Sequence, residues 1–231
     1  MLTIEKIYDA QRVLEEALYT TDVVQTNKLT GRCELFLKTE NLQKTGSFKI
    51  RGAYYKIARL SPEEKMRGVI ACSAGNHAQG VALAAQKNGI PALICLPDGA
   101  PISKVEATRS YGAELCLVPG VYDDAYERAL QLQKERRMTF IHPFDDEDVI
   151  AGQGTIGLEI LSQLKNVEAI VVPVGGGGLI SGIAFAVKQV APHVKVYGVQ
   201  AAGAASMIGS LHDGKVESLP SVSTIADGIA V

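Results

Sequence analysis

The sequence predicts an α/β protein built on two doubly wound, open, twisted sheets. Two observations predict it: short apolar runs alternate with amphipathic helical stretches along most of the chain, and glycine-rich turns join several runs to the helix that follows. Continuous apolar strands separated by such helices imply parallel strands with both faces covered, because each crossover lays a helix on the sheet.

In chain order, an amphipathic helix is expected over residues 4–18, a short strand over 34–38 and a helix over 47–60. Charge gathers at 61–67, which reads as a solvated turn and domain border. Strands at 68–73, 92–97, 114–119, 140–143, 169–174 and 196–200 then alternate with helices at 78–88, 103–111, 122–136, 154–164 and 179–190. Gly89, Gly112 and Pro192 fall just past helix ends, where a left-handed cap or a stop is needed. A second border falls at the acidic stretch 145–148, read as a solvated connection. The chain thus divides into a larger discontinuous domain, residues 1–53 with 149–231, and a smaller α/β domain, 54–148. No fixed-period repeat, low-complexity tract or linker interrupts it.

Composition removes several classes of function. The 231 residues carry 23 Lys plus Arg against 25 Asp plus Glu, a formal net charge of -2. At 47% hydrophobic and 21% charged, the chain is an ordinary globular protein. The charge balance lacks the footprint of a nucleic-acid binder. With 6% aromatic residues and no Trp, base-stacking and sugar-stacking surfaces are not expected. No run is long enough to span a bilayer and no charged-then-apolar leader follows Met1, so a cytoplasmic protein without a membrane partner is expected. Cys33, Cys72, Cys95 and Cys116 lack paired metal spacing and the density of a disulfide scaffold. The last three sit in apolar runs and read as buried free thiols.

Three segments carry chemistry. In Lys44-Thr45-Gly46-Ser47-Phe48-Lys49-Ile50-Arg51-Gly52-Ala53, Ser47 is a good N-cap and places Lys49 in the first helical turn. The helix dipole disfavours a cation there and pushes the amine toward its neutral, nucleophilic form, as a Schiff-base lysine requires. Taken alone, a lysine at this spacing is more often a surface residue. The second segment, Ser73-Ala74-Gly75-Asn76-His77, joins a strand to a helix start. Its free N–H groups and positive helix end suit a carboxylate or phosphate; a tight turn with a structural His77 is an equal reading. The third, Gly175-Gly176-Gly177-Gly178-Leu179, lies between a buried strand and a helix. Bare peptide groups there read as a phosphate seat. A Walker A loop requires Lys where Ile183 stands, and the dinucleotide pattern requires Gly where Ser181 stands. The following strand ends at Gln200 with no acid for a ribose hydroxyl, so neither ATP nor NAD is expected.

In this order the three segments resemble pyridoxal-phosphate enzymes of the tryptophan-synthase-β fold type. Within that group the chain is similar to the threonine dehydratases (threonine ammonia-lyases). The closer match rests on Glu40-Asn41-Leu42-Gln43-Lys44-Thr45-Gly46-Ser47-Phe48-Lys49, on Val149-Ile150-Ala151-Gly152-Gln153-Gly154-Thr155, and on Thr224-Ile225-Ala226-Asp227-Gly228. The resemblance implies pyridoxal 5'-phosphate as cofactor, with Lys49 as its Schiff-base lysine and later the acid–base. It implies that Phe48 packs on the pyridine ring and Asn76 reaches the phenolic oxygen. Ser73, Ala74, Gly75, Asn76 and His77 would hold the substrate carboxylate, and Gly175, Gly176, Gly177, Gly178 and Leu179 the cofactor phosphate. The implied reaction is β-elimination of water from L-threonine, and from L-serine, in isoleucine biosynthesis or threonine catabolism. Its products are 2-oxobutanoate or pyruvate, with ammonia. A homo-oligomer, dimer or tetramer, is implied as well.

Ala74 replaces a hydroxyl that related serine racemases carry, so elimination is expected over racemisation. Gln200 and Ser206 stand where those racemases have acids, and no bound Mg²⁺ or Ca²⁺ is expected. Members of the family continue well past the end of this chain, so it resembles a fragment with an incomplete larger domain. Its cofactor pocket would lack one wall, which speaks against activity of the chain alone. Two other readings compete: another enzyme of the fold type, racemase or β-replacement synthase, and a non-catalytic metabolite-binding module. The pyridoxal-phosphate readings rest on one expectation, that the Lys49 amine and the glycine loop converge.

Overall fold

A computed structural model describes residues 1–27 and 33–230. Helix α1 (Ile4–Glu15) leads into an antiparallel hairpin, β1 (Val23–Thr26) with β2 (Leu35–Lys38). Helices α2 (Lys49–Ala58) and α3 (Pro62–Arg67) follow. Next come β3 (Val69–Cys72), α4 (Asn76–Lys87), β4 (Ala92–Pro97), α5 (Ile102–Ser110), β5 (Glu114–Val118), α6 (Tyr122–Arg136) and β6 (Thr139–Phe140). The chain continues through α7 (Glu147–Gln163), β7 (Ala169–Pro173), α8 (Gly178–Val190), β8 (Lys195–Val199) and α9 (Ser206–Asp213).

The central sheet is parallel in the order β5-β4-β3-β6. Strand alternation sends its residues to opposite sides. Ile70, Cys72, Leu93 and Cys95 pack with Ala125, Ala129 and Leu132 of α6, whereas Val69, Ala71, Ile94 and Leu96 join Ala78 and Val81 of α4 and Val105 of α5. Both faces are therefore covered, as the unbroken apolar runs require. Winding proceeds from β3 to β4 and β5, then reverses to place β6 on the other side of β3. That reversal is a topological switch point, and in open α/β sheets ligands bind outside the carboxyl ends of the strands there.

A second parallel pair, β7 with β8, rests one face on α7 and α8 through Ile156, Ile160, Ile170, Val172, Ile183, Val187 and Val194. Its other face is open: Val171, Tyr197 and Val199 are 64%, 50% and 51% exposed.

Two connections differ from the sequence reading. Residues 61–67 hold a helix rather than a bare turn, because Ser61 and Glu64 form a reciprocal capping box with Pro62 at the first position. The acidic stretch 145–148 is not a simple solvated link. Asp146 caps α7 by accepting from Asp148 N and Val149 N, so the helix starts seven residues ahead of the expected residue 154. Asp146 also pairs with Lys56 at 2.8 Å, and Asp148 with Lys6 at 2.9 Å. These ion pairs tie α7 to α1 and α2. Glycines within α7 disfavour a helix locally, but packing demands them: a Cβ at Gly152 would lie 2.6 Å from Gly52 Cα, and one at Gly154 2.9 Å from Gly182 O.

Candidate active site

Lys49 opens α2. Phe48, already helical in its dihedrals, occupies the cap position, and Ser47 Oγ accepts from Lys49 N at 3.3 Å. Ser47 thus serves the helix start much as its residue type predicts. The Lys49 amine donates to Pro143 O at 2.8 Å and lies 5.6 Å from the centre of the Phe48 ring. Its pKa is lowered to about 8, and burial is the cause. The sequence reading expected a depressed amine from the helix field; desolvation is the physical reason instead.

The segment after β6 brings Pro143 to this amine. Ile141 N donates to Ile70 O, which carries the chain past β3. Phe144 is then held edge-on against His142, with centroids 4.7 Å apart at 88°. Its ring bears on the glycine loop. A Cβ at Gly176 would lie 2.5 Å from that ring, and one at Gly178 2.7 Å from Phe144 O. Gly177 adopts φ +87°, a left-handed conformation that glycine alone reaches without strain. Ser181 N donates the first helical bond of this end to Gly177 O. The peptide N–H groups ahead of it have no partner within α8 and stand at its positive end.

Phe48, Lys49, Pro143, Phe144, Gln153, Gly175, Gly176, Gly177, Gly178 and Leu179 line one cleft, together with Pro173, Gly228 and Ile229. The lysine and the glycine loop, more than 120 residues apart in the chain, therefore face the same space. Ser73, Ala74, Gly75 and Asn76 do not line it. They sit at the end of β3, where Ser73 Oγ accepts from Gly75 N at 3.1 Å and Asn76 is exposed. The His77 ring is 3% exposed and points its Nε2 at Ile141 O, 2.8 Å away. A carbonyl only accepts, so Nε2 carries the proton. Burial, and then the Lys49 charge, push His77 down to about 3. The ring is thus a neutral strut between α4 and the β6 segment, with its Nδ1 left as a buried acceptor without a partner among the described residues.

Pro143, Phe144, Gln153, Gly228 and Ile229 are lining residues whose part the sequence reading missed. Gln153 and Gly228 belong to segments noted for their resemblance, yet nothing local gave them a task. Gln153 is buried in α7, and its Oε1 accepts from Gly52 N at 3.2 Å. Gln200 is engaged at α9, accepting from Ile208 N at 3.0 Å. Among the described residues no group of three or more His, Cys, Asp or Glu could hold a metal ion.

The site therefore offers a half-buried amine of lowered basicity, an aromatic ring beside it and a cradle of peptide donors. Those residues fit a phosphorylated aldehyde: the amine can attack the carbonyl and the cradle can take the phosphate without a basic side chain. This is the class of site the fold defines.

A sequence profile for the family described as pyridoxal-phosphate dependent enzyme matches residues 14–231. L-threonine ammonia-lyase of Thermotoga maritima is 56% identical over 234 residues, covering 100% of this chain and 58% of that protein. L-threonine dehydratase catabolic TdcB of Escherichia coli (strain K12) is 45% identical over 232 residues, covering 100% and 70%. Among solved structures, the processed form of threonine deaminase isoform 2 from Solanum lycopersicum superposes with TM-score 0.94 at 44% identity, covering 98% of this chain and 63% of that one. Maize serine racemase gives TM-score 0.95 at 39% identity, covering 100% and 70%. The chain belongs to the pyridoxal-phosphate dependent enzyme family. It spans 58% of the length of the Thermotoga maritima relative.

Proposed function

We propose that this chain carries the catalytic machinery of a threonine ammonia-lyase, eliminating water from L-threonine and from L-serine to give 2-oxobutanoate or pyruvate with ammonia. One observation carries the reading: the Lys49 amine and the glycine loop line a single cleft, beside the segment that follows β6. Relatives named for threonine deamination, matched along the whole chain, support the substrate.

Bound pyridoxal phosphate supplies an electron sink that makes the substrate α-proton removable. The residues of the chain do the rest. Burial would keep a useful fraction of Lys49 neutral near pH 8, so its Nζ would hold the cofactor and would take and return the substrate proton. Gly175, Gly176, Gly177, Gly178 and Leu179 hold the phosphate with backbone donors, and Phe48 flanks the ring. The resemblance would give Asn76 the phenolic oxygen, although Asn76 stands outside the cleft lining. Ser73 to His77 seat the substrate carboxylate by their backbone. Ala74 has no proton to give, so the face opposite Lys49 lacks a donor and elimination prevails over racemisation.

The reading extends to a homo-oligomer acting in the cytoplasm on a small amino acid, with no nucleic-acid or membrane partner. No described helix is long and apolar enough to cross a membrane. A division into residues 54–148 and the two flanking segments is supported by the four-stranded sheet, which falls wholly within the first of these.

The test is to add pyridoxal phosphate, record the visible absorbance, reduce with borohydride and locate the label. The label is expected on Lys49, and Lys49→Ala is expected to lose the band and threonine turnover together. Normal turnover by that variant would remove the assignment. Amino-acid products that appear only with added thiol would indicate β-replacement instead.

A further inference from the structure

Arg51 stands two residues after Lys49 and heads the largest fully buried side chains, at 1% exposure. Its five N–H donors are all engaged. Nε and Nη2 donate to Glu40 at 2.8 Å each. Nη1 donates to Thr155 Oγ1 at 3.1 Å and to Glu159 Oε1 at 2.5 Å, and Nη2 also reaches Glu159 Oε2 at 2.9 Å. Lys38 closes the group by donating to Glu159 Oε2 at 2.6 Å. Two cations meet two carboxylates, so the formal charges of the cluster cancel. Glu40 precedes α2, Lys38 ends β2, and Thr155 and Glu159 lie on α7.

Stability alone is a poor account of such a cluster, since apolar residues of similar volume often replace buried ion pairs without loss. Geometry is a better one. Residues two apart on an α-helix point about 200° apart around its axis. Arg51 thus grips α7 on one side of α2 while Lys49 projects from nearly the opposite side, toward Pro143. A planar fork with five fixed donors resists rotation about the helix axis; a lysine ammonium, a point charge with three rotatable donors, does not. Gln153 Oε1 on Gly52 N braces the same turn from α7.

We propose that Arg51 is a positioning residue whose clasp on Glu40, Thr155 and Glu159 sets the rotation of α2 that aims the Lys49 amine into the cleft. This rests on the reading of Lys49 as the cofactor lysine. The formal charges of the cluster cancel, so its net field at Lys49 is weak and geometry is the route proposed.

Two variants test it. Arg51→Lys keeps the charge and loses the fork. The combined Lys38→Met, Arg51→Met, Glu40→Gln and Glu159→Gln removes both cations and both carboxylates together and leaves no ion of the cluster unpaired. The readouts are the pH midpoint of borohydride trapping of pyridoxal phosphate on Lys49, kcat and KM for threonine, and thermal unfolding. Both variants are expected to fold, with the trapping midpoint moved upward because a displaced amine regains water. Turnover is expected to fall by about 10- to 100-fold, the scale of a misplacement near 1 Å, with KM little changed. A lowered melting temperature with the parent's midpoint and kcat would overturn the proposal, and so would failure of both variants to fold, since either makes Arg51 a residue of stability only. A parent that traps no cofactor at Lys49 would instead count against the proposed function itself.

Discussion

The two strand-to-helix turns of the site look alike in sequence and differ in structure. Gly175 to Leu179 is packed from outside: Phe144 presses on Gly176 and Gly178, and the loop faces Lys49. Ser73 to Asn76 is held from inside by its own Ser73–Gly75 bond, and a Cβ at Gly75 would meet nothing within 4 Å. One turn is a rigid cradle; the other is an open seat. A cofactor that stays bound suits the first, and a substrate that exchanges each turnover suits the second.

Substitutions can break that contrast. Gly176→Ala is expected to cost about 1–3 kcal/mol of stability, the usual penalty for overpacking, and to weaken cofactor binding; denaturant melts and absorbance titration measure both. Acid tests the His77 strut between α4 and the segment after β6. His77 is held near 3 in the folded protein against 6.5 unfolded. Between those values the unfolded chain takes up a proton that the folded one refuses, so stability falls as pH drops through the window and levels below it. The contribution approaches about 1.4 kcal/mol per pH unit. Melts from pH 7 to pH 4 check it, and His77→Gln should flatten the slope. Lys104→Ala removes an exposed pair with Asp227, beside the cleft residues Gly228 and Ile229. A loss below about 1 kcal/mol, smaller in high salt, is expected. Gly75→Ala should change stability by less than about 0.5 kcal/mol yet raise KM for threonine. Equal stability losses at Gly75 and Gly176 would erase the distinction between cradle and seat.

Much of this site was legible before any coordinates. The strand at Ala92–Pro97 and the helix at Tyr122–Arg136 fall on the expected residues, because alternation and helical periodicity are local signals. Glycines before a helix announced a peptide cradle for the same reason. Pro143 and Phe144 were not legible, since their place depends on β6 returning beside β3, a pairing with no local mark. Asp146 was misread because a cap and a solvated acid look identical until the helix after it is seen.

Residue chemistry and local pattern alone determined that this chain alternates strand and helix, that Lys49 opens a helix and that bare peptides open another. Only the tertiary structure decided that these two starts share a cleft, that desolvation lowers the lysine's basicity and that Glu40, Thr155 and Glu159 clasp Arg51. Burial and long-range pairing depend on the whole packed chain, and no window of sequence contains them.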